Sequence, residues 1–278
     1  MIDMVKIKAP IALSILIAGS WIGLSGCQSD SVLDVDLCQP YDGLTPLCGY
    51  QSPEDLALLP DSSGLLVSEF GQMGETQGQL SILSIADHSR TVIYEANMHR
   101  QTRSAVAIWG DPNCSEPESF SPHGFDLAQR PSGRWQLLVV NHAERERIEF
   151  FELSNNEASE WSVVWRGCVQ SSDDSIYNDV AAVDDGFVVS RMMSNQNTGL
   201  AMLNYFLGRD SGHIWRWSFA DGFQAVAHSE GVMPNGVVAS QNGEQVFINL
   251  YGEDKVRVVD ANRQTILTEL DIRSADNT

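Results

Sequence analysis

Residues 178–189 read Asn-Asp-Val-Ala-Ala-Val-Asp-Asp-Gly-Phe-Val-Val. A polar pair leads into a short apolar run, an Asp-Asp-Gly turn interrupts it, and a second β-branched run follows, which is the grammar of a β-hairpin. The same grammar recurs elsewhere. Leu56–Leu59 leads through Asp61-Ser62-Ser63-Gly64 into Leu65–Val67; Phe125–Leu127 leads through Pro131-Ser132-Gly133 into Leu137–Val140; Val237–Ala239 leads through Gln241-Asn242-Gly243 into Val246–Asn249. Each hairpin follows a polar or small pair: Glu54-Asp55, His123-Gly124, Asn178-Asp179 and Asn235-Gly236, and a fifth such pair, Asp276-Asn277, lies further on. The first members of these pairs are separated by 69, 55, 57 and 41 residues. Further strand-like runs, such as Ile148–Leu153 and Val256–Val259, fill the gaps. Units of roughly 40 to 50 residues with four strands each predict an all-β chain of the β-propeller type, with inserted loops in the longer gaps. An ordinary β-sandwich has no reason to place polar pairs in phase before the first strand of each unit.

Phase has a chemical consequence. The first strand of each propeller blade runs beside the central channel, so equivalent positions face one another around the axis. Carboxylates and amide carbonyls gathered there suit calcium, which takes 6–8 hard oxygen ligands in flexible geometry. Zinc or copper would call for more imidazole or thiolate. Taken singly, each pair is an ordinary turn or solvated motif; the common register is what carries the reading.

The N-terminal segment reads as an export signal over residues 1–26. Lys6 and Lys8 form a charged region, an apolar stretch runs from Ala9 to about Leu24, and Leu24-Ser25-Gly26-Cys27 resembles a bacterial lipobox with Cys27 as the lipidated residue. An uncleaved anchor is the competing reading, but Gly19, Gly23 and Gly26 interrupt a run already short for a spanning helix. The expectation is an exported lipoprotein held at the outer membrane, on its periplasmic face or at the cell surface, touching the membrane only through the lipid on Cys27. Residues 27–50 then read as a tether and N-terminal arm, and 51–278 as the propeller domain.

Across the chain 37 acidic residues stand against 17 Lys and Arg, a net charge of −20. Such a surface repels nucleic acid and anionic lipid, which excludes both as partners. Apart from Cys27 there are Cys38, Cys48, Cys114 and Cys168. Export places them where disulfides persist, and four cysteines allow three pairings. Cys38–Cys48, closing a short loop around Pro40 and Gly43, with Cys114–Cys168 is the favoured pairing. No two of these cysteines have the close spacing of a zinc site.

Several segments together carry a family resemblance. Ser52-Pro53-Glu54-Asp55-Leu56, Ser121-Pro122-His123-Gly124-Phe125, Leu137-Leu138-Val139-Val140-Asn141-His142, Asn178-Asp179-Val180-Ala181-Ala182-Val183 and Asn235-Gly236-Val237 resemble the paraoxonase/arylesterase family, within the wider group of senescence-marker and gluconolactonase propellers. Asp271-Ile272 through Asp276-Asn277 is similar to that family's next segment. The resemblance implies a six-bladed propeller with two calcium ions in its channel that hydrolyses lactones and aryl esters. It implies that Glu54, Asn178, Asn235, Asp276 and Asn277 hold a catalytic calcium, and that Asp55, Asp179 and the main-chain carbonyl of Phe125 hold a structural one. His123 matches the family's catalytic histidine and His142 the second member of a histidine dyad.

The family continues for several dozen residues beyond its Asp-Asn pair, so a C-terminally truncated propeller of about four to five blades is expected. A family cysteine in that further part, joining the two chain ends, would take Cys38 or Cys48 from its partner. The cluster Met192, Met193, Leu200, Met202, Leu203, Tyr205 and Phe206 reads either as an active-site wall or as an amphipathic segment packed on the rim. Two classes of function follow: a monomeric calcium-dependent hydrolase of small lactones and esters, or a non-catalytic lipid-anchored propeller that binds a ligand or an envelope protein.

Overall fold

A computed structural model describes residues 38–40, 42–72, 75–98, 108–143, 145–156, 160–171 and 173–277. The export signal and Cys27 lie outside the described residues. The chain divides into two units, Met1–Cys48 and Gly49–Thr278. Within the first, Cys38 is disulfide-bonded to Cys48, the Cα atoms 6.2 Å apart.

The second unit is built of four antiparallel four-stranded sheets in a β-propeller arrangement. Sheet one holds β1 (Pro53–Leu58), β2 (Gly64–Glu69), β3 (Gln79–Ser84) and β4 (Arg90–Glu95). Sheet two holds β5 (Pro122–Gln129), β6 (Trp135–Asn141), β7 (Arg147–Asn155) and β8 (Trp161–Gln170). Sheet three holds β9 (Ser175–Val183), β10 (Gly186–Ser194), β11 (His213–Ser218) and β12 (Gly222–Ala225), with helix α1 (Thr198–Phe206) between β10 and β11. Sheet four holds β13 (Pro234–Ala239), β14 (Gln245–Leu250), β15 (Lys255–Asp260) and β16 (Thr265–Asp271). Each sheet is a meander in chain order. Short turns join the first two strands of each sheet, as the hairpin grammar predicts.

Apolar side chains on the facing surfaces of successive sheets bind them together. Leu66 and Leu80 of the first sheet pack with Phe125, Leu137 and Phe151 of the second. Leu138, Ile148 and Phe150 of the second pack with Tyr177, Phe187 and Val189 of the third. Val188 and Ile214 of the third pack with Val237, Val246 and Ile248 of the fourth. Trp217 stacks on Phe187 with centroids 5.2 Å apart, and both Trp215 and Trp217 lie against the second of these cores. Cys114–Cys168 ties the loop before β5 to β8.

Gly186 is required for a reason other than its turn. A Cβ there would lie 1.9 Å from the carbonyl oxygen of Trp217, so only glycine lets β11 pair so closely with the start of β10. The outer faces of the first and last sheets are less covered. Leu56 and Leu58 on β1 are 59% and 52% exposed, and every residue of β16 is exposed.

Helix α1 differs from the rim-packed alternative. Asn197 caps it by accepting from Leu200 N at 3.0 Å, yet only Ala201 is buried, while Leu200, Leu203 and Phe206 are exposed. Met193, by contrast, is buried within β10.

Candidate metal centre and histidine pair

The polar pairs do not open their strands; four of the five lie inside them, and Asp276-Asn277 lies in the irregular segment after β16. At each of the four the strand register slips. The pairing with the second strand shifts between Pro53 and Asp55, between Pro122 and Phe125, opposite Val189 and Arg191 in sheet three, and between Pro234 and Val237. A regular strand points consecutive side chains to opposite faces, and a bulge breaks that alternation. At Glu54-Asp55 and Asn178-Asp179 the bulge frees two neighbouring side chains from strict alternation, while at His123-Gly124 and Asn235-Gly236 the second residue is glycine.

At the mouth, contacts link Glu54 to His123 and Asn277, His123 to Asn178, and Gly236, which follows Asn235, to Asp276. Asn277 Nδ2 donates to the Glu54 carbonyl at 3.1 Å, and Gly236 N donates to the Asp276 carbonyl at 3.0 Å. The amide of buried Asn249 also donates to that Asp276 carbonyl, so the 276–277 segment is held at the mouth by sheets one and four. Asn178 Oδ1 and Asn235 Oδ1 are buried and accept no hydrogen bond, as is Asn249 Oδ1. Leaving such an oxygen without a partner costs about 1–3 kcal/mol. Burial foremost, then the charge of Asp276, raises the Glu54 carboxyl.

Deeper in the channel, three aspartates connect successive sheets. Asp55 Oδ2 accepts from Phe125 N at 2.9 Å, Asp126 Oδ2 from Ala182 N at 2.7 Å, and Asp179 Oδ2 from Val237 N at 2.8 Å. Each carboxylate thus fastens one innermost strand to the next. Burial raises all three, Asp179 most, and Asp55 and Asp126 add repulsion to Asp179. These side chains line a cavity of about 250 Å³ together with Phe125 and Asn277. Gly124 makes the close approach possible: a Cβ there would lie 2.6 Å from both the Asn178 carbonyl and Asp179 Oδ1.

The donor set fits calcium. Among the described residues no three His, Cys, Asp or Glu side chains gather as a metal cluster, so the candidate centres consist of one or two carboxylates supplemented by amide and main-chain oxygens. Amide oxygens without donors beside carboxylates that burial disfavours are what a hard, oxygen-seeking cation would satisfy.

His123 and His142 do meet. Their ring centroids are 5.2 Å apart, and Phe70 packs edge-on against both. His123 Nδ1 donates to the Asn178 carbonyl at 3.0 Å, because a carbonyl can only accept. Its Nε2 lies 3.4 Å from Glu54 Oε2. Burial above all, then neighbouring His142, lowers His123 to about 4, against the opposing pull of its bond to Asn178. At neutral pH the ring is therefore uncharged, with its lone pair on Nε2 beside the mouth.

Asp126, Glu146, Asn249 and Phe70 belong to this region and were not singled out in the sequence. Asp126 directly follows Phe125, and Asn249 is flanked by Ile248 and Leu250; a polar residue within an apolar run is the signal that could have found them.

The family model described as arylesterase matches residues 52–277 of the chain. A search among curated proteins found no match. Among solved structures the chain is similar to a functionally unknown protein from Desulfotomaculum acetoxidans DSM 771, at 12% identity and TM-score 0.43, over 82% of this chain and 58% of that one. It is similar to a putative 6-phosphogluconolactonase from Bacteroides fragilis NCTC 9343, at 10% identity and TM-score 0.43, over 81% of this chain and 56% of that one. It is also similar to a virginiamycin B lyase from Staphylococcus aureus, at 10% identity and TM-score 0.42, over 86% of this chain and 59% of that one. The chain thus spans less than two thirds of the length of these structures, and at such scores no functional argument rests on them.

Proposed function

The chain belongs to the arylesterase family, and from that premise we propose that it is a calcium-dependent hydrolase of lactones and aryl esters. The observation that carries the reading is the channel mouth. There, two buried amide oxygens, Asn178 Oδ1 and Asn235 Oδ1, lack donors, and the His123 imidazole lies between the Asn178 carbonyl and Glu54.

In this reading Glu54, Asn178, Asn235, Asp276 and Asn277 hold one calcium, and Asp55, Asp179 and the Phe125 carbonyl hold a second. Calcium at the first position supplies Lewis-acid polarisation of the ester carbonyl. His123 takes the proton of the attacking water on Nε2, which its bond to the Asn178 carbonyl leaves unprotonated. His142, packed edge-on against both Phe70 and His123, holds that ring in place. The second set of oxygens lies where β1, β5 and β9 converge, and there its role is to hold those strands together.

Leu56 and Leu58 on β1 and the residues of β16 are the exposed surfaces that further blades of the proposed six-bladed ring would cover. Export and lipidation at Cys27 remain part of the proposal and would place the site outside the cytoplasm.

The test is turnover of phenyl acetate and of γ- and δ-lactones by the purified protein in millimolar calcium. Activity that disappears with chelator and returns with calcium is expected. Binding of calcium without any turnover would favour the ligand-binding propeller, and turnover indifferent to chelation would overturn the calcium reading.

A further inference from the structure

The loop from β6 to β7 carries a carboxylate that the proposed mechanism does not use. Asn141 Oδ1 accepts from Ser121 N at 2.9 Å and from Ala143 N at 3.0 Å, which fixes the chain leaving β6. His142 N donates to the Ser121 carbonyl at 3.1 Å, so the backbone beneath the ring is fixed as well. Glu146 then returns toward that ring. Its Oε1 is 2.7 Å from His142 Nδ1 and its Oε2 is 3.2 Å from Tyr177 N. The two side chains are only 7% and 11% exposed.

A carboxylate accepts and does not donate, so both contacts have a definite direction. His142 gives its Nδ1 hydrogen to Oε1, and Tyr177 gives its main-chain hydrogen to Oε2. A neutral His142 therefore keeps its lone pair on Nε2. Tyr177 directly precedes Asn178, whose carbonyl takes the Nδ1 hydrogen of His123 at 3.0 Å. One side chain thereby sets the tautomer of one ring and holds the strand that sets the tautomer of the other.

We propose that Glu146 is the positioning residue of the histidine pair, turning Nδ1 of His142 toward its own carboxylate and holding the strand whose Asn178 carbonyl takes the Nδ1 hydrogen of His123. The inference rests on the hydrolase reading for its catalytic consequence, but not for its structural content. An unpaired imidazole has no such restriction on which nitrogen carries the hydrogen.

The experiment uses the full chain loaded with calcium. Long-range 1H–15N spectra of the imidazoles, with the His142 signals assigned from their loss in His142→Asn, are expected to show His142 protonated on Nδ1. Glu146→Ala is expected to move it toward the Nε2–H form and to lower kcat by about 10–100-fold, the usual effect of losing a group that orients a functional ring, with KM changed less than about twofold. An Nε2–H His142 in the unmodified protein would overturn the proposal, even if the alanine variant failed to fold. An alanine variant with unchanged tautomer and unchanged kcat would overturn it too. Should the unmodified protein show no ester turnover, the hydrolase reading fails while the spectra still decide the role of Glu146.

Discussion

Replacing Asp179 with asparagine should separate the two proposed calcium positions. Asp179 is buried, with Oδ1 accepting from Val180 N and Oδ2 from Val237 N, each at 2.8 Å. Asparagine keeps the shape but turns one acceptor into a donor facing a main-chain N–H, a conflict of about 1–3 kcal/mol. Removing the charge also relieves repulsion from Asp55 and Asp126, so the basal stability of the variant is the sum of opposing effects. The informative quantity is the difference that calcium makes to each protein. A site filled at 100 times its Kd stabilises the folded state by about 2.7 kcal/mol. For a domain of roughly this size each kcal/mol moves Tm by about 2–4 °C, so each ion should raise it by about 5–11 °C. Differential scanning fluorimetry with chelator and with calcium measures this directly. Asp179→Asn should lose the increment of the deeper ion, Asn235→Ala that of the ion at the mouth, and the double variant both. A calcium-dependent rise equal in the parent protein and in Asp179→Asn would refute the deeper site, and no rise in the parent would refute both.

Three further outcomes follow from the same geometry. His123→Gln should lower kcat for phenyl acetate by about 10²–10⁴-fold while leaving the calcium-induced Tm shift in place, since glutamine cannot accept a proton at neutral pH; steady-state rates and fluorimetry check both halves. Gly236→Ala would place a Cβ 2.3 Å from the Asp276 carbonyl oxygen, so the 276–277 segment must move. Isothermal titration should then show the mouth site weakened with the deeper one retained. Glu69 provides a pH signature. Burial pushes its carboxyl up, but hydrogen bonds from Ser81, Gln51 N, Arg90 and Gln79 outweigh that and leave it below the usual range. A lowered carboxyl contributes stability that is present above the unfolded value near 4.3 and is lost as pH falls through the folded value. Glu69→Gln should therefore cost about 1–3 kcal/mol at pH 7, since the partly exposed Arg90 loses its charge-assisted partner but keeps the Gly49 carbonyl, and urea unfolding should show that gap narrowing below about pH 4. A gap independent of pH would argue against a charged Glu69.

Much of the propeller could be read along the chain because its signals are local. A tight turn is written in adjacent Gly, Asn and Asp residues, and a half-buried strand in β-branched runs, so four repeated sheets follow from pattern alone. The proposed channel positions rest on the same ground: equivalent places in a repeat face a common axis. The Cys38–Cys48 and Cys114–Cys168 bonds match the favoured pairing, although spacing alone left three possibilities.

What only the tertiary structure decided depends on groups far apart in sequence. Residue types at Asn178-Asp179 do not announce a bulge, yet the pairing of β9 with β10 slips there and breaks the alternation of their side chains. Asp126 is one polar residue within a strand, and its role comes from Ala182 N, 56 residues away, which donates to its carboxylate. Glu146 seemed one of many acids in a chain of net charge −20, and its meaning comes from Tyr177 N, 31 residues on. The sequence by itself determined the repeated sheets and which oxygens could line the axis, because strand periodicity and turn chemistry are properties of neighbours. Which way those oxygens point, and which ring nitrogen carries its hydrogen, was decided by contacts between sheets, because a hydrogen bond is set by distance and direction in space.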